Sequence, residues 1–367
     1  MIYCANPSAQ YQSYKKDIDL AISNVLISNR YILGSEVSAL EKEFAAFIGV
    51  SSAIGVANGT DALEIALRAL EIGPGDEVIT VSHTAVATVA AIEAIGAIPV
   101  LVDVDAETYT LSPEKLNEAY SSETKAVIAV HIYGQSCDLD KISSFCLEKN
   151  IFLIEDVSQA HGALYQGKRL GSIGIVSCFS CYPTKNLGAV GDAGLVCTND
   201  LNLATKIKMI REYGWRERYI SEIPGRNSRL DEVQAAILRI KLRNLDSDNN
   251  KRISIAKRYS EKLNLPEIEL PITRDGNKHV YHLYVIKIQN RGDLVSYLQG
   301  KEIFPGIHYP VPIHQQAAYQ NRIRTSTSMS ITEKLSEVVL SLPIYPELST
   351  SDVDKVVQSI LDYFKKA

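Results

Sequence analysis

Ile151-Phe152-Leu153-Ile154-Glu155-Asp156 is a continuous apolar run that stops at two acids. A strand with one wet face alternates apolar and polar side chains. A run without alternation belongs to a strand covered on both faces, as in parallel sheets. Runs of the same texture precede it at Ala53 to Val56, Glu77 to Val81, Ile98 to Val102 and Ala126 to Val130. Between them, apolar residues recur at helical spacing over Asp61 to Leu70, Val86 to Ile95, Ser112 to Ala119 and Leu139 to Lys149. Upstream, Val37, Leu40, Phe44 and Phe47 mark a further helix over Glu36 to Ile48, with Gly49 as its stop. Strands alternating with helices predict an α/β fold, a mainly parallel sheet covered by helices on both faces. Ligands in such sheets sit beyond the carboxyl ends of the strands. Asp156 falls at such an end, and so does the turn after the strand-like run Gly174 to Phe179.

The chain has 367 residues, enough for two domains. A long helical pattern runs from about Leu230 past Leu245, and the polar stretch Asp246-Ser247-Asp248-Asn249-Asn250 either continues that helix or marks a hinge. Beyond it the texture changes to a strand-like Val280 to Ile288, a helix near Asp293 to Leu298 and a closing helix over Ser351 to Phe364. This predicts a large ligand-binding domain over 1–248 and a smaller C-terminal α/β domain over 249–367. Hydrophobic residues at 46% and charged residues at 22% suit a globular chain with a sizeable core. A net charge of −5 leaves no electrostatic footprint for nucleic acid. No apolar run approaches the ~20 residues needed to span a bilayer. The start Met1-Ile2-Tyr3-Cys4 lacks the charge and apolar core of a signal peptide, so the cytoplasm is expected. The six cysteines then read as reduced thiols.

Ser180-Cys181-Tyr182-Pro183-Thr184-Lys185-Asn186-Leu187-Gly188 presents one lysine in a polar, glycine-flanked turn. A lysine able to form an imine and an acid at a strand end are the two groups a pyridoxal 5'-phosphate (PLP) enzyme needs. The lysine holds the aldehyde, and the acid keeps the pyridine nitrogen protonated so that the ring can take up electrons. Taken singly, Lys185 also reads as a solvated loop charge and Asp156 as a helix cap. Ser180 can point a hydroxyl at a phosphate, and Gln159 and His161 follow Asp156 in a loop of ligand-facing character. Asn58-Gly59-Thr60-Asp61 opens a helix whose free amides suit a phosphate, an ordinary N-cap being compatible with that role. His308-Tyr309-Pro310-Val311-Pro312-Ile313-His314 is a rigid loop that suits either substrate binding, through His308, Tyr309 and His314, or domain packing. Gly162 to Lys168 matches most of a phosphate-binding loop, yet Arg169 stands where magnesium needs Ser or Thr, so a hairpin is expected. Cys178-Phe179-Ser180-Cys181 lacks a second ligand pair, and no metal site is predicted.

Together these segments resemble the DegT/StrS-type nucleotide-sugar aminotransferases, PLP enzymes of fold type I. The resemblance covers nearly the whole chain, from Tyr31-Ile32-Leu33-Gly34 through Glu155 to Gly162 and Asn227-Ser228-Arg229-Leu230-Asp231-Glu232 to His308-Tyr309-Pro310. It implies Lys185 as the Schiff-base lysine and proton carrier, Asp156 at the pyridinium nitrogen, and Gln159 at the ring or its hydroxyl. It implies Gly59, Thr60 and Ser180 at the phosphate, and Asn227 reaching that phosphate from the other subunit of a homodimer. The implied reaction takes an amine from a donor, typically L-glutamate, to a nucleotide-linked keto sugar, with dTDP-linked 3-keto-6-deoxy sugars the nearest subgroup. Sugar dehydratases of the same fold typically carry histidine at the lysine position, and a non-catalytic regulatory relative is the other alternative. Many relatives have an aromatic residue over the cofactor ring where Ala85 stands, leaving His83 or another residue to cover it.

Overall fold

The computed structural model describes residues 1–325 and 328–365. Its main sheet has eight strands: β1 Ser52–Val56, β2 Glu77–Val81, β3 Ile98–Val102, β4 Thr124–Val130, β5 Phe152–Asp156, β6 Val176–Ser180, β7 Gly194–Thr198 and the short β8 Arg324–Thr325. Their order is β8-β3-β2-β4-β5-β6-β7-β1. All pairings are parallel except those of β7, which runs antiparallel to both β6 and β1. β2 and β7 are buried along their whole length, as the unbroken apolar runs require.

The helix Gly59–Ala69 follows β1, with the Asn58 side chain accepting from the Asp61 N–H as its cap. The helix Ser35–Ile48 ends on Gly49 at φ 86, the left-handed position that glycine adopts without a steric cost. Glu232–Lys262 is one helix of 31 residues, so the polar stretch 246–250 continues it. Tertiary partners make that possible. Asp248 accepts from the Tyr14 hydroxyl at 2.9 Å, and Asn249 bonds both Asn186 and the His161 carbonyl. Buried polar groups with partners do not break a helix. The Gly162 to Lys168 segment forms the expected hairpin: Leu164–Tyr165 pairs with Lys168–Arg169 around Gln166 and Gly167, both at positive φ.

A second hydrophobic core gathers around Tyr259, Tyr284, Leu294, Leu340 and Ile360. Its framework is the antiparallel pair Tyr284–Lys287 with Val339–Leu342, flanked by helices Arg291–Gln299 and Thr350–Phe364. Ile2 from the chain start packs into the same core and pairs with Ile303. We propose the division into 1–248 and 249–367 on the strength of this separate core, the helix Glu232–Lys262 being common to both. Among the described residues no helix is long and apolar enough to cross a membrane, and no group of three or more His, Cys, Asp or Glu could hold a metal.

Candidate active site

β4, β5 and β6 end side by side, at Val130, Asp156 and Ser180, on the rim of a cavity of about 530 Å³. Gly59 and Thr60 form one wall, Thr84 and Ala85 another, and Gln159, Ser158 and Lys185 close it.

Asp156 is buried, and two neighbours fix its carboxylate. Thr88 Oγ1 donates to Oδ2 at 3.2 Å and the Ser158 N–H to Oδ1 at 3.1 Å. Lys185 sits on a turn held at every step. Its own N–H donates to the Tyr182 carbonyl, Asn186 Nδ2 to Asn249 and the Val280 carbonyl, and Lys241 Nζ to the Gly188 carbonyl at 2.6 Å. Gly188 is required there, since a Cβ would lie 2.5 Å from the Pro183 carbonyl oxygen. Burial pushes the Lys185 amine down to about 8 from its ordinary 10.5, against the opposing pull of the Asp156 charge.

At the other end of the cavity Gly59 lies against Ser180: a Cβ on Gly59 would stand 2.5 Å from Ser180 Cβ. The Ser158 hydroxyl accepts the Ser180 N–H at 3.1 Å and holds that strand end in place. The first turn of an 11-residue helix therefore opens onto the cavity with a hydroxyl beside it, the arrangement that receives a phosphate. A phosphate seat, a carboxylate and a lysine amine on one cavity fit the three ends of PLP, so the residues present suit that cofactor.

Lys185, Asp156, Gln159, Ser180, Gly59 and Thr60 thus line one cavity. The remaining candidates do not line the cavity. Tyr309 stands behind Gln159, its hydroxyl accepting from Gln159 Nε2 at 3.0 Å. His308 Nδ1 is bonded to Ser341 Oγ at 2.9 Å, and burial lowers the ring to about 4. His314 bridges Ser82 Oγ and Glu333. Asn227 is exposed, between Arg226, which pairs with Asp61 at 3.2 Å, and Ser228, which accepts from the Ala57 N–H. His83 is buried edge-on to Tyr133 and Tyr309, so the cavity wall beside Ala85 carries no aromatic ring from this loop. His161 is fully buried, and burial and the Lys185 charge lower it to about 3. Sequence reasoning missed Thr88 and Tyr133, and gave Ser158 no role beyond its place in a ligand-facing loop. Thr88 and Ser158 lie inside segments it had quoted, but only tertiary packing brings Tyr133 to the site.

A lysine amine, a buried carboxylate and a helix start fit for a phosphate, on one cavity at the carboxyl edge of such a sheet, are the groups that PLP-holding α/β enzymes bring together. The DegT/DnrJ/EryC1/StrS aminotransferase family model matches residues 12–361, and the chain belongs to that family. It is 47% identical to the dTDP-3-amino-3,6-dideoxy-alpha-D-galactopyranose transaminase of Aneurinibacillus thermoaerophilus, over 95% of this chain and 96% of that one. The crystal structure of S. venezuelae DesV in complex with a ketimine intermediate superposes with a TM-score of 0.96 at 41% identity, covering 99% and 98% of the two chains. That of NtdA from Bacillus subtilis with bound cofactor PMP gives 0.89 at 30% identity, covering 96% and 82%. The chain is accordingly a PLP-dependent aminotransferase.

Proposed function

We infer that this chain is a cytoplasmic, homodimeric enzyme that moves an amino group from L-glutamate to a dTDP-linked 3-keto-6-deoxyhexose. The meeting of Lys185 and Asp156 on one cavity carries the reading, in a chain 47% identical to a dTDP-amino-sugar transaminase. When bound, PLP supplies an aldehyde that accepts the amine and a ring that takes up electrons. Gly59, Thr60 and Ser180 would hold its phosphate, Asp156 would keep its ring nitrogen protonated, and Gln159 would donate to the ring oxygen. Lys185 would hold the aldehyde carbon and, once displaced by the donor's amine, carry a proton between substrate and cofactor carbons. An amine lowered to about 8 suits both tasks, because its charged and neutral forms coexist near neutral pH. Asn227 would complete the phosphate seat of the neighbouring subunit. Its exposure outside its own cavity supports that role. His308, Tyr309 and His314 belong to the loop that would bound the sugar.

The test is to load the protein with pyridoxamine phosphate and offer dTDP-, UDP- and GDP-linked keto sugars. The dTDP-linked 3-keto-6-deoxyhexose should restore the PLP spectrum fastest, and Lys185→Ala should lack the visible band. Restoration by simple keto acids alone, with no nucleotide sugar active, would overturn the substrate reading.

A further inference from the structure

The side-chain amide of Gln159 is held at both ends by groups tied to one loop. Its Oε1 accepts the backbone N–H of Tyr133 at 2.8 Å, and its Nε2 donates to the Tyr309 hydroxyl at 3.0 Å. A backbone N–H can only donate, so the oxygen must face Tyr133 and the amide cannot be flipped. One N–H of Nε2 is then used by Tyr309, and the second is left for the cavity that Gln159 lines. Tyr133 is itself latched. Its hydroxyl donates to the His308 carbonyl and so accepts from His83 Nε2 at 2.5 Å. Burial lowers His83 to about 4, keeping it neutral in the tautomer that donates from Nε2. His308 in turn is bonded to Ser341, on the strand Val339–Leu342 of the second core. Both partners of the Gln159 amide therefore run back to His308-Tyr309, a loop anchored outside the main sheet.

We propose that Tyr309 is a positioning residue, whose hydroxyl aims the free N–H of Gln159 at the cofactor's ring oxygen and so couples the placement of the substrate loop to the cofactor. This rests on the reading that Gln159 faces that ring. Tyr309 does not line the cavity, so its hydroxyl acts through the amide. A donor at the ring oxygen stabilises the form that has lost the proton of the lysine–cofactor linkage, so a weaker donor raises the pH midpoint of the visible band.

The experiment is a spectrophotometric pH titration of PLP-loaded wild type, Tyr309→Phe, Gln159→Ala and the double variant, with no substrate present. Tyr309→Phe keeps the ring and removes only the hydroxyl. It should raise the midpoint by about half a unit to one unit, a fraction of what a charge-assisted hydrogen bond supports. Gln159→Ala should raise it at least as far, and adding Tyr309→Phe to Gln159→Ala should change nothing more, because the two act in series. If Gln159→Ala leaves the midpoint unmoved, the placement of Gln159 at the ring fails, and this proposal with it. If Gln159→Ala shifts it while Tyr309→Phe does not, or if the two shifts add, Tyr309 does not work through the amide and the proposal alone is overturned.

Discussion

At Lys185 burial and charge act in opposite directions, and burial prevails. Desolvation disfavours the ammonium while Asp156 favours it, and the balance brings the amine to about 8. The sign matters for cofactor capture, since only the neutral amine attacks an aldehyde. A lysine at its ordinary value would be neutral in less than about one molecule in a thousand at pH 7, whereas a pKa near 8 makes it about one in ten. The rate at which cofactor-free protein develops the visible band on mixing with PLP should therefore rise about fivefold from pH 7 to 8 and level off above 9. Stopped-flow absorbance measures this. A rate still climbing tenfold per unit at pH 9.5 would mean an unperturbed lysine. Removing the hydroxyl that orients the opposing carboxylate, with Thr88→Val, deletes a buried hydrogen bond at 3.2 Å. PLP affinity should fall about three- to tenfold, the usual yield of one such bond, as read by titrating cofactor-free protein.

Among the elements, the helix Gly59–Ala69 and β6 meet at the site with no room for a side chain at Gly59. Gly59→Ala would drive a methyl group to within 2.5 Å of Ser180 Cβ, with backbone rather than a flexible tip behind it. Overpacking of that kind costs about 1–3 kcal/mol, and here it also tilts the helix start away from its phosphate seat. PLP affinity should drop at least about tenfold in equilibrium titration, while Gly292→Ala, with open space around its Cβ and no left-handed backbone, should leave affinity unchanged. Most elements of this kind are legible in the chain itself. Glu77–Val81 and Ile98–Val102 have the very bounds that apolar texture predicts, because a sheet covered on both faces buries nearly every residue, and Leu139–Lys149 has those of its helical spacing, which buries one face. β7, Gly194–Thr198, escaped notice: Gly-Leu-Val-Cys-Thr is short and follows a glycine-rich turn, and nothing local says that it pairs antiparallel. The site divides the same way. Asp156 and Ser180 stand at strand ends, and Lys185 in the turn after one, where a one-dimensional pattern can find them. Tyr133 at Gln159 and His314 on Ser82 depend on contacts between distant segments.

At the scale of the whole molecule, the separation of Asn227 from its own cavity bears on assembly. Arg226 ties its segment to Asp61 and Glu64 on the helix that opens the phosphate seat, and Ser228 ties it to Ala57, yet the Asn227 side chain stays exposed. Beside it, the hairpin of Trp215–Glu217 and Ile220–Ser221 leaves Tyr213, Tyr219 and Ile220 exposed to solvent. If each cavity is finished by its neighbour's Asn227, two inactive variants can repair each other. Lys185→Ala removes the amine from a chain's own site, and Asn227→Ala spoils the site of its neighbour. In a mixed dimer one site carries both lesions and the other carries none. Unfolding and refolding an equal mixture makes half the dimers mixed, so about a quarter of wild-type sites should return. Turnover of the dTDP-linked keto sugar by the mixture, against each variant refolded alone, measures this. Activity no higher than that of refolded Asn227→Ala scaled to its share would place Asn227 within its own subunit's function, and the shared-site dimer would then fall.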